Sequence, residues 1–195
     1  MNRRNFNTIV GMSSLGMLRA KTQFNALDIP YKYNLNYAPH LGMFKAHAGD
    51  NPIDQLHFMA EQGFKSFEDN DMRKRSIKLQ EKMSQTMQQL NIKMGVFVAH
   101  NIAWKKPNLA SGKKDERDAF LSEIKSSVEV AKRINAKWMT VVPGLKDFQK
   151  NIEYQTINVI ETLKRACEIL EPHGLVMVLE PLSFSNHPGL FLTES

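Results

Sequence analysis

Glu180 is the residue of this chain best placed to do chemistry. It closes the apolar run Leu175-Val176-Met177-Val178-Leu179, long enough only for a buried strand, and so brings one carboxylate to a strand's carboxyl end. In α/β proteins that end is where binding and catalysis are built. His100 follows a second apolar run, Val96-Phe97-Val98-Ala99. It should face the same mouth, where an imidazole can hydrogen-bond a hydroxyl or act as an acid. Trp104 lies shortly after it, placed to wall a pocket and exclude water. Glu68 and Asp69 end a third run and Asn36 lies near the end of a fourth; each offers a polar contact to a small hydroxylated ligand. His187 falls in the loop after Glu180, within reach of the same ligand. His40 and His47 flank a loop that would close over it. His57, His173 and Cys167 sit in helical patterns and read as structural.

These residues are carried by alternating strands and helices. Tyr33 to Ala38 alternates polar and apolar and stops at Pro39, as a strand does. Asn51-Pro52 opens a helix with Ile53, Leu56, Met59 and Ala60 on one face, and Gly63 ends it. A strand at 64–69 follows, then a long helix from Met72 to Leu90 with Ile77, Leu79, Met83, Met87 and Leu90 apolar. Strands at 93–99, 138–142 and 175–179 are separated by helices at 115–135 and 151–171. Pro188-Gly189 has the look of a further helix start.

Strict strand–helix alternation predicts a parallel sheet with right-handed crossovers. An open doubly wound sheet and a (β/α)8 barrel both fit. No Gly-x-Gly-x-x-Gly follows the first strand and no Walker-type loop occurs, which favours the barrel. A barrel needs eight strands and about 250 residues; the 195 residues here hold five expected strands, so the expectation is a barrel truncated after the fifth.

Composition narrows the class. Charged residues at 24% and hydrophobic residues at 42% are those of a globular protein. The net charge of +6 is concentrated at the start, where Arg3, Arg4, Arg19 and Lys21 precede the first acidic residue, Asp28. No Lys/Arg stripe interleaved with aromatics follows, so nucleic-acid binding is not expected. Asn2-Arg3-Arg4-Asn5-Phe6 and the mildly apolar stretch to Leu18 form a twin-arginine-like signal segment over 1–26, leaving a domain at 27–195. The expectation is export to a periplasm, or a cytoplasmic protein if the segment is only a basic terminus. The apolar part of the leader is too short to span a bilayer, so no membrane association is expected of the mature form.

Three stretches carry a family resemblance: Phe64-Lys65-Ser66-Phe67-Glu68-Asp69, Trp138-Met139-Thr140-Val141-Val142-Pro143-Gly144, and Leu179-Glu180-Pro181-Leu182 with His187-Pro188-Gly189-Leu190-Phe191-Leu192. They resemble the xylose-isomerase-like TIM barrels, and within them the hydroxypyruvate isomerase and sugar isomerase/epimerase group. The resemblance implies a divalent-metal isomerase acting on a small hydroxycarbonyl or sugar-type substrate. It makes Glu180 both metal ligand and proton-transfer carboxylate, with Mg²⁺ or Mn²⁺ as the metal. The remaining ligands, an acidic residue, a His or Gln and a second Glu, are expected on later strands, past Ser195. His100, Trp104, His187, Glu68 and Asn36 are the expected substrate contacts. The alternatives are an epimerase on the same scaffold, or a non-catalytic barrel remnant that binds carbohydrate or a partner chain. Exposed strand edges would favour a homo-oligomer.

Overall fold

The computed structural model describes residues 31–193. Its strands are β1 (Ser66–Phe67), β2 (Lys93–Met94), β3 (Trp138–Val141) and β4 (Val176–Leu179). Its helices are α1 (Lys45–Ala48), α2 (Pro52–Glu61), α3 (Ile77–Leu90), α4 (Lys114–Ile134) and α5 (Ile152–Leu170).

β1 pairs with β2 and β3 with β4, both in parallel. A parallel bridge between Val98 and Thr140 joins the two pairs, with the Thr140 N–H donating to Phe97 O at 2.8 Å and the Ala99 N–H to Thr140 O at 3.0 Å. On the other side His40 bridges Glu68 in parallel. Each strand segment therefore lies beside the segments that precede and follow it in the chain. That consecutive order belongs to a barrel wall; a doubly wound sheet reverses its order at a switch point.

Why these residues form these elements is mostly capping and periodicity. Asn51, Ser76 and Asn151 are N-caps whose side chains accept the backbone N–H groups of Ile53, Leu79 and Glu153. Asn91 and Asn135 end α3 and α4 in the left-handed conformation, which asparagine tolerates better than most residues. The core lies between the sheet and the helices. Phe67, Phe97, Met139 and Val141 pack there with Leu56, Met83, Ile124 and Ile134, each no more than 1% exposed. No helix among the described residues is long and apolar enough to cross a membrane.

Four expectations need correction. Tyr33–Ala38 forms no strand: Asn34 and Asn36 stand in solvent, and pairing begins only at Pro39 and His40. An alternating stretch with Asn on its polar positions has little to hold it in a ladder. The Met72–Leu90 helix is two pieces, a 3-10 turn at Met72–Lys74 and α3, because Arg75 is extended and Ser76 caps afresh. Ile77, expected on the buried face, is 59% exposed. Pro188-Gly189 starts no helix; Leu190 instead bridges Leu145 in antiparallel fashion. The segment 1–26 lies outside the described residues.

Candidate active site

The carboxyl ends of β1 and β2 open into a cleft of about 440 Å³. Asn70, Asp71, Arg73 and Lys74 come from the loop after β1; His100, Asn101 and Trp104 come from the segment after β2. Two of the expected contacts, His100 and Trp104, thus share one cleft. A third joins them through a neighbour, for the rings of Trp104 and His187 lie 5.3 Å apart at 30°. The loop carrying His187 is held there by backbone bonds to the loop after β3: Lys146 N–H to Gly189 O at 3.0 Å and Phe191 N–H to Gly144 O at 2.7 Å. Gly144 is required at this crossing. Its φ is +83°, and a Cβ there would meet Asn108 Oδ1 at 2.3 Å.

His100 is 3% exposed and already occupied. Its Nε2 accepts the Val142 N–H at 3.2 Å, so its Nδ1 is the protonated nitrogen and donates to Asn101 O at 3.1 Å. Burial, ahead of the opposing hydrogen bonds, pushes its pKa below the usual imidazole value. A neutral ring with both nitrogens on backbone groups orients the cleft wall. Proton donation from His100 would need one of those bonds to break.

The cations of the cleft are balanced in place. Lys74 Nζ is 2.8 Å from Asp71 Oδ1, and that bond holds the Asp71 carboxyl below the usual range. Arg73 faces Glu123 at 3.7 Å. Glu123 also accepts the Asn101 backbone N–H at 2.6 Å and its side-chain amide at 2.5 Å. One carboxylate on α4 therefore fixes the loops after both β1 and β2. Behind them Asp69, 1% exposed, receives Arg75 Nε at 2.5 Å and Nη2 at 3.1 Å, a bidentate pair that also raises the Arg75 pKa.

A recurring device holds the other loops of this mouth. Gln55, Gln80 and Gln155 are each 1–2% exposed. Gln55 accepts the Gly42 N–H and donates to Gly49 O, both at 2.7 Å. Gln80 donates to Met72 O at 2.9 Å and Arg75 O at 3.0 Å, and accepts from Arg133. Gln155 accepts the Asp147 N–H at 2.7 Å and donates to Asp147 O at 2.9 Å. Each glutamine reaches back from the first turn of a helix to the strand–helix loop before it. The sequence carries the signal as Asn51-x-x-x-Gln55, Ser76-x-x-x-Gln80 and Asn151-x-x-x-Gln155, an N-cap followed at a fixed spacing by glutamine, which was not singled out. Asp69–Arg75 and Glu123 were missed as well: charges in a polar stretch look alike until the fold buries some of them.

Glu180 continues the β4 ladder, its N–H donating to Val141 O at 3.2 Å, and is partly exposed. The Val98–Thr140–Val178 register and the two-residue period put Glu180 on the same face as Val178 and at the carboxyl end of the sheet. It lies outside the lining of the cleft, and among the described residues its carboxylate has no hydrogen bond or ion pair. Glu68 is partly buried on the segment that bridges His40 and also does not line the cleft. Asn36 is exposed and apart from it. Among the described residues no three His, Cys, Asp or Glu side chains converge to hold a metal ion. These residues alone do not fit a complete divalent-metal site.

A family model described as xylose isomerase-like TIM barrel matches residues 56–193. Solved structures share the fold. An AP endonuclease family 2 protein from Brucella melitensis superposes with a TM-score of 0.65 at 20% identity, over 80% of this chain and 58% of that one. D-psicose 3-epimerase from Clostridium cellulolyticum H10, solved with D-tagatose, gives 0.64 at 12% identity over 82% and 55%. The 3-keto-D-glucoside 4-epimerase of E. coli gives 0.60 at 14% identity over 76% and 57%. The chain thus spans somewhat more than half the length of these relatives. No curated protein sequence matches it.

Proposed function

Since the chain belongs to the xylose isomerase-like TIM barrel family, we propose that it serves an isomerase that moves a proton between adjacent carbons of a small hydroxycarbonyl compound of the hydroxypyruvate type. Glu180 is the proposed base. The observation that carries this reading is its position, a carboxylate at the carboxyl end of β4 in a consecutive parallel sheet, where barrel enzymes place their catalytic groups. A partly exposed carboxylate without a hydrogen bond or ion pair among the described residues is able to accept a carbon-bound proton and return it. Trp104 and His187 supply a ring wall beside the mouth that limits water, and Asn101 and Asn70 offer amides to ligand oxygens.

A second reading, an epimerase of a neutral ketose, has its own support. Both cations of the cleft face carboxylates of the chain itself, Lys74 with Asp71 and Arg73 with Glu123. A substrate carboxylate would have to compete for them, whereas an uncharged polyol would not. Incubation with hydroxypyruvate and, separately, with D-tagatose, with products followed by NMR, distinguishes the two. Turnover of hydroxypyruvate supports the first reading and C3 epimerisation of tagatose the second. Glu180→Gln should abolish either while far-UV circular dichroism stays unchanged; undiminished turnover in that variant removes Glu180 from the mechanism.

A further inference from the structure

Arg73 is fixed in the wall of the cleft, yet its donors are unspent. It lies in the 3-10 turn Met72–Lys74, which backbone bonds hold at both ends, Met72 N–H to Asp69 O at 3.1 Å and Arg75 N–H to Met72 O at 3.2 Å. Its side chain lines the cleft and is only 17% exposed. A guanidinium so far from water ordinarily spends its N–H groups on carboxylates or carbonyls, as Arg75 does in its bidentate pair with Asp69. Arg73 differs. Its ion-pair partner, Glu123, stands 3.7 Å from Nη2, too far for a hydrogen bond. The Glu123 oxygens already accept the Asn101 backbone N–H and side-chain amide. Lys74, the other cation lining the cleft, is tied to Asp71 at 2.8 Å, and both His100 nitrogens are on backbone groups. Among the described residues, the Arg73 side chain makes no hydrogen bond.

We propose that Arg73 anchors the carboxylate of the substrate, so that this cleft selects a small monocarboxylate over a neutral ketose. A planar guanidinium fork matches a planar carboxylate through two parallel N–H···O bonds. Glu123 competes with such a ligand for Arg73 only through its charge, because it holds none of the guanidinium donors. The same charge limits what the cleft takes. Arg73 and Lys74 already face Glu123 and Asp71, which leaves no surplus of positive charge for a dianion such as a phosphate ester and suits a monoanion. Val98, Ile102 and Trp104 line the same cleft and shield the contact from water, which strengthens it. The inference rests on the proposed isomerase reading only in taking this cleft as the place where substrate binds; it makes no use of Glu180.

NMR titration of the 195-residue chain with pyruvate, which has the carboxylate but no hydroxyl to isomerise, and with neutral dihydroxyacetone tests it. Pyruvate should bind the parent at least about tenfold more tightly than dihydroxyacetone does, and pyruvate alone should shift the Arg73 Nε–H signal. Arg73→Gln should lose about tenfold or more in pyruvate affinity and change dihydroxyacetone binding by less than about twofold. Arg73→Lys, which keeps the charge without the fork, should recover only part of the loss. If Arg73→Gln does not fold, the Nε–H shift in the parent decides. An Nε–H signal indifferent to pyruvate, equal affinity for the two probes, or tighter binding of inorganic phosphate than of pyruvate overturns the proposal. So does pyruvate affinity unchanged in folded Arg73→Gln. Glu180→Gln should bind pyruvate as the parent does. Arg73-dependent binding without turnover therefore refutes the proton-transfer reading and leaves the anchor standing, while turnover with unchanged affinity in Arg73→Gln does the reverse.

Discussion

The two ends of the sheet are built on opposite terms. On the β1–β2 side the regular ladder is only two residues long in each strand, yet the segments around it are locked by side-chain polar bonds. Asp69 holds Arg75, Glu123 holds Asn101 and faces Arg73, and His100 spans Val142 and Asn101. On the β3–β4 side the ladder is twice as long in each strand, but β4 is exposed and Glu180 has no partner among the described residues. Rigidity here comes from side chains reaching loops more than from strand pairing. The fixed side shapes a cleft whose charged groups and imidazole are engaged within the chain. The open side keeps a carboxylate unengaged, which is what a proton-transfer group needs.

The sharpest way to break this contrast is to remove a carboxylate from each side. Asp69→Ala leaves the Arg75 guanidinium without its buried partner and should cost about 3 kcal/mol or more. Glu180→Ala should stay within about 0.5 kcal/mol of the parent. Urea denaturation of the two variants reads both, and equal losses would erase the distinction. Next in size is Gln155→Leu, which orphans the Asp147 N–H and carbonyl beneath the loop after β3. It should cost about 2 kcal/mol and accelerate hydrogen exchange in residues 147–151, with the β1–β2 loops unchanged.

A smaller effect concerns pH. His100 has a pKa lowered by burial, so the unfolded chain binds its proton more readily than the folded chain does. Stability should therefore be full above the ordinary imidazole pKa of about 6.5 and fall as pH drops below it. His100→Gln keeps an acceptor for the Val142 N–H and should flatten the slope between about pH 7 and 5. A slope unchanged in that variant would assign it to other groups.

The barrel wall was legible in the sequence because it is written in periodicity. The apolar faces of α4, with Phe120, Ile124, Val128, Ala131 and Ile134, are buried as their spacing required, and the runs ending at Phe67, Ala99 and Val141 pair in order. Tyr33–Ala38 misled because alternation alone does not make a strand. Pairing there needed a neighbour, and only His40 finds one. Strand-tip position was enough to expect His100 at the mouth, where it shares a cleft with Trp104, but it could not tell that both His100 nitrogens would be taken by backbone groups. Nor could it separate Asp69, held inside, and Glu123, partly shielded, from the solvated charges around them. That distinction depends on contacts such as Asn101 with Glu123, far apart in the chain, which no local pattern encodes.

The central claim is that the unengaged carboxylate at the end of β4 removes a proton from carbon. Solvent exchange measures that step whether or not product is released. Hydroxypyruvate and D-tagatose are incubated with the protein in D₂O, and deuterium at the carbon adjacent to the carbonyl is followed by NMR. Incorporation is expected with the parent chain on one of the two substrates, and its loss in Glu180→Gln at unchanged stability. Incorporation that persists in Glu180→Gln, or none with the parent on either substrate, would contradict it.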